Sequence, residues 1–108
     1  MKPIPDKAEI AVDFPDKTYV GVFSQQSGFA LATDTDGVSL KLLHSGPDRR
    51  SVDVHLHWHL FADILGDLAT AITATPLTLD ETQAARLLEA VGLLDAALHP
   101  HHAKARRK

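Results

Sequence analysis

The chain contains no cysteine, which excludes disulfides, thiolate metal sites and a cysteine nucleophile. It has no apolar run long enough to span a bilayer, because Asp63, Asp67, Glu89 and Asp95 interrupt its longest hydrophobic stretches. The opening Met1-Lys2-Pro3-Ile4-Pro5-Asp6 lacks the apolar segment of a secretory signal, so the cytoplasm is the expected location and no membrane is an expected partner. A Gly-rich phosphate loop and a Gly-x-Ser-x-Gly elbow are also missing. No spacing of Ser, His and Asp singles out a triad, so no catalytic residue is assigned and the chain reads as non-enzymatic.

Positive charge is scarce outside the C-terminus. The net charge is −3, but the last six residues hold Lys104, Arg106, Arg107 and Lys108, and without them 7 cations face 14 anions. A nucleic-acid binder needs a basic face to displace phosphate counterions, so no nucleic-acid partner is expected. Residues 101–108 read as a disordered basic tail.

What is present suffices for one domain: 108 residues, 44% of them apolar. A core of that size leaves little surplus stability, and association with a second copy is an easy way to bury more. Apolar residues alternate in the first half and recur at helical spacing in the second. Strands are expected at about 7–14, 18–24, 29–34, 37–44 and 51–58, and helices at about 60–75 and 79–98. Pro15-Asp16-Lys17, Gln25-Gln26-Ser27-Gly28 and Ser45-Gly46-Pro47-Asp48 mark turns. Asp34-Thr35-Asp36-Gly37 is the strongest turn signal, with Asp-Gly expected to supply the positive φ of a tight hairpin. A calcium loop in that register would place Ala32 and Leu43 at its end positions, and neither offers the oxygen required.

Thr78 and Glu81 match a capping box for the second helix, and Pro100 is expected to end it. Short connections between strands predict an antiparallel meander. The resulting class is α+β: a two-layer domain spanning residues 1–100, with a five-stranded N-terminal antiparallel β-meander covered on one face by two C-terminal α-helices.

The chemically suggestive stretch is Val52-Asp53-Val54-His55-Leu56-His57-Trp58-His59. In an extended strand His55, His57 and His59 share one face, about 6.6–6.8 Å apart along the backbone. Two imidazoles at that spacing can converge on one zinc, with Asp53 or His44 as a further ligand or orienting group. An outer sheet face also needs polar residues, and histidine serves. Lys41 bears on the choice, because two hairpin registers place it opposite either Asp53 or His55. His99, His101 and His102 form a second cluster around Pro100.

Three functions follow. The first is a non-catalytic protein-interaction module, a homodimer or a binder of another protein, without cofactor. It rests on the wide apolar stripe Leu87, Leu88, Leu93, Leu94 and Leu98. The second is a metal-binding protein, a zinc sensor or a small metal-dependent hydrolase, using His55, His57 and His59. The third is a small-ligand pocket between sheet and helices, lined by Phe14, Tyr19, Trp58 and Phe61.

Overall fold

The computed structural model describes residues 1–75 and 79–106. They form six strands and two helices: β1 (Lys2–Pro3), β2 (Ala8–Phe14), β3 (Lys17–Phe23), β4 (Ser27–Thr33), β5 (Gly37–His44), β6 (Arg50–His57), α1 (Trp58–Ala74) and α2 (Glu81–Arg106). The chain divides into two compact units, Met1–Thr70 and Ala71–Lys108.

In the first unit the strands are antiparallel, as expected, but they do not form one five-stranded meander. Four make a sheet in the order β1-β4-β5-β6, and β2 and β3 form a separate two-stranded ribbon. The extra strand, β1, is two residues long and pairs Lys2 with Phe29 and Pro3 with Gly28. Two residues are too few for any period to register.

The split follows from where apolar residues can be buried. In the sheet, Phe29, Leu42 and Val52 stand in one cross-strand row and Leu31, Leu40 and Val54 in the next. These rows lie on one face, because paired residues point the same way and alternate residues point oppositely. In the ribbon, Ala8 pairs with Phe23 and Ile10 with Gly21, so these four share a face. The core joins the two: Ile4, Phe23 and Leu42 are buried, with Ala8, Ile10, Phe29, Leu40 and Val52 packed around them. The ribbon is thus what covers this part of the sheet's apolar face. α1 buries none of its residues. The far end of the ribbon reaches past the core, leaving Val12, Phe14 and Tyr19 about half exposed.

Polar contacts brace the sheet internally and tie it to the ribbon. Ser27 is buried, and its Oγ accepts the Ser24 N–H at 3.2 Å and meets His44 Nδ1 at 3.0 Å. Arg50 donates from Nη2 to the Val22 carbonyl and lies 5.4 Å from the Phe23 ring centroid, tying β6 to the ribbon.

The Asp34–Gly37 turn forms where expected by different means. Gly46, at φ 108°, is the one described residue with positive φ. The Asp34 carboxylate instead accepts the backbone N–H groups of Asp36 and Gly37, each at 2.8 Å, and so closes the turn itself. Glycine is needed at 37 for space: a Cβ there would collide with the backbone of Leu56 and His57.

In the second unit, α2 starts after Asp80, whose Oδ1 accepts the Gln83 N–H at 2.7 Å while Gln83 Oε1 accepts the Asp80 N–H at 3.1 Å. This is a reciprocal cap two residues on from the Thr78–Glu81 pair expected, and Thr78 lies outside the described residues. Pro100 does not end the helix, which runs to Arg106. Proline removes one amide donor and crowds one preceding carbonyl, but residues beyond it can still bond within the helix. The stretch 101–106, expected to be disordered, is therefore helical.

Candidate functional site

The histidine strand lies on the polar face of the sheet. Asp53, His55 and His57 stand opposite Lys41, Ser39 and Gly37, so the register realised is the one pairing Lys41 with Asp53. Alternation stops at His57 because α1 begins at Trp58. Two hydrogen bonds fix that junction to the neighbouring turn: the Trp58 backbone N–H donates to the Asp36 carbonyl and its indole N–H to the Asp34 carbonyl, both at 3.2 Å. His59 is accordingly the second residue of a helix and leaves the row.

The three predicted ligands thus divide between a strand and a helix. His55 and His57 remain neighbours, with ring centroids 5.0 Å apart at an interplanar angle of 62°. Asp34 joins them from the turn, its Oδ2 3.4 Å from His55 Nε2. The Asp34 carboxyl is held below its ordinary range first by the Gly37 and Asp36 amides and then by His55. Sequence reasoning placed Asp34 only in a turn; its reach to His55 depends on the β5–β6 register, which spacing alone left open. His44 pairs with Ser27 and Arg50, on the opposite face from His55. Among the described residues, no group of three His, Asp or Glu side chains is placed to hold a metal ion.

The remaining candidates are dispersed. His99 lies 3.3 Å from Asp95 one helical turn back, and both are well exposed. Phe14 meets Tyr19 edge to face on the ribbon, whereas Trp58 meets Phe61 at the start of α1. Tyr19 lines a groove of about 370 Å³ with Ile10, Phe23, Arg50 and Val52, and neither Trp58 nor Phe61 borders it.

The Ser27–His44 contact was not singled out from the sequence. The two lie seventeen positions apart, and the β4–β5 register brings them together. Ser27 is 5% exposed and already receives the Ser24 amide, so the hydroxyl serves as a buried turn anchor rather than an accessible nucleophile. Comparison with family models, curated proteins and solved structures finds no match to this chain.

The largest uncovered features are apolar. On α1, Leu60, Ile64, Leu68 and Ile72 are 44–53% exposed. On α2, Leu87, Val91 and Leu98 are 52–60% exposed, and Leu88 and Leu93 more so. Ala84, Leu87, Val91, Leu94 and Leu98 follow each other at alternating steps of three and four, the spacing of a helix–helix seam.

Proposed function

We propose that the chain is a non-catalytic protein-interaction module that works by self-association. The supporting observation is the uncovered apolar surface of the two helices. Burying one Leu or Ile side chain is worth about 1.5–3 kcal/mol, and a helix with nothing against its apolar stripe is marginal in water. An apolar surface of this extent favours a partner. The seam on α2 is flanked by Leu88, Ala90 and Ala97, with Asp95 the one charge beside it, while Arg86 and Glu89 lie away from it. A face so nearly free of charge suits a second copy, since two like surfaces meet without repulsion.

Sedimentation equilibrium or light scattering across a micromolar concentration series tests this. The expected mass is at least twice the 11.7 kDa of one chain. A mass of one chain at the highest concentration overturns the reading.

A further inference from the structure

We propose that β6 joins two copies of this chain edge to edge, in antiparallel pairing about a two-fold axis at Val54. The inference rests on the self-association reading and adds to the helix faces a separate interface on the sheet edge.

β6 is an edge strand, hydrogen-bonded to β5 alone. Among the described residues, no backbone hydrogen bond outside the sheet reaches its other side. An open edge offers unpaired N–H and C=O groups to another strand. The opposite edge of the sheet is treated differently. There β4 is partly covered by β1, whose residues are Lys2 and Pro3, two residue types that discourage further pairing. Ser51–His57 carries neither type.

The register follows from faces and charge. Val52, Val54 and Leu56 lie on the apolar side of β6, and Asp53, His55 and His57 on the polar side. Pairing that keeps like faces together must set a residue opposite a residue of the same parity. Two such registers pair seven residues of the strand. One is centred on Asp53 and stacks two carboxylates against each other. The other is centred on Val54 and sets Asp53 opposite the partner's His55, Val52 opposite the partner's Leu56, and Ser51 opposite the partner's His57. Opposite or hydrogen-bonding pairs across strands stabilise, and like charges directly opposite destabilise. The Val54 register therefore wins. It also sets Asp53, the one acid of the strand, against an imidazole of the partner at both symmetry-related positions. Pairing stops at His57, where α1 begins, so the helix lies outside the paired stretch. The product is one continuous sheet built from two four-stranded halves.

The absence of cysteine makes the register directly readable. A single cysteine replacing Val54 meets its own copy across the axis, at a Cβ separation of about 4.5–5.5 Å that small adjustments bring to disulfide geometry. Under mild oxidation Val54→Cys should give a covalent dimer on a non-reducing gel. Val52→Cys and Leu56→Cys should each run as a single chain on that gel when oxidised alone, yet form a disulfide-linked heterodimer, identified by mass, when mixed. All three are partly exposed sites, and circular dichroism of the reduced variants reports folding before oxidation. A two-chain native mass without a Val54→Cys disulfide, or equal cross-linking of Val52→Cys alone, overturns the β6 interface and leaves self-association standing. A one-chain native mass overturns both.

Discussion

The ribbon–sheet core and the helices both carry apolar stripes but put them to different ends. Around Phe23, strands from the ribbon and the sheet close on each other, and Phe23 falls to 1% exposure. On α1, the stripe of Leu60, Ile64, Leu68 and Ile72 stays 44–53% exposed and the helix buries no residue. Periodicity identifies which face of an element is apolar. It does not say what covers that face, and here the cover of the sheet comes from β2 and β3, elements expected to extend it.

Substitutions should separate the two regions sharply. Phe23→Ala should cost about 3–5 kcal/mol in urea unfolding, the range for losing a buried aromatic. Leu88→Gln, at 73% exposure, should change the stability of an isolated chain by no more than about 0.5 kcal/mol. In a self-associating protein it should instead lower the mass at a given concentration, so the pair measured together sharpens the contrast. If both cost the same, α2 contributes to the core and the contrast breaks.

Next in size is Pro100→Ala. Proline inside a helix is disfavoured by about 3 kcal/mol, less near an end. The variant should gain helical circular dichroism and melting temperature, leaving the strands unaffected. Ser27→Ala should lose about 1–3 kcal/mol, because the Ser24 amide and His44 lose their shared partner in a buried position.

The smallest effect concerns Asp34. Its carboxyl is held below the ordinary value of 3.8 by two turn amides and His55. A folded-state value that is depressed contributes stability present above the unfolded value and lost as pH falls through the folded one. Asp34→Asn has no charge to lose. Its melting temperature should fall less steeply than that of the wild type between about pH 4 and pH 2, measured against each protein's value at pH 6.

Much of the local structure was legible. Five strands and two helices appear within two residues of their expected starts, because alternation and helical spacing are written in neighbouring residues. Strand pairing was less so. Whether β3 pairs onward with β4 or turns away with β2 depends on which closure buries Phe23 best, a contest decided by contacts distant in sequence. At the histidine strand, spacing gave the shared face of His55 and His57 but not its end. His59 was lost to α1 because Trp58 finds two carbonyl partners in the Asp34–Gly37 turn. The helix end was misplaced because proline's local penalty was weighed without the hydrogen bonds that continue past it.

Those two bonds of Trp58 have an optical consequence. The chain holds one tryptophan and one tyrosine. The indole is tethered to the turn between β4 and β5, while Tyr19 sits on the ribbon. The two chromophores therefore report on different parts of the first unit. Tryptophan emission follows the joint between turn and helix, tyrosine absorbance follows the ribbon, and a lag between them on denaturation would show the ribbon lifting from the sheet before the sheet itself gives way.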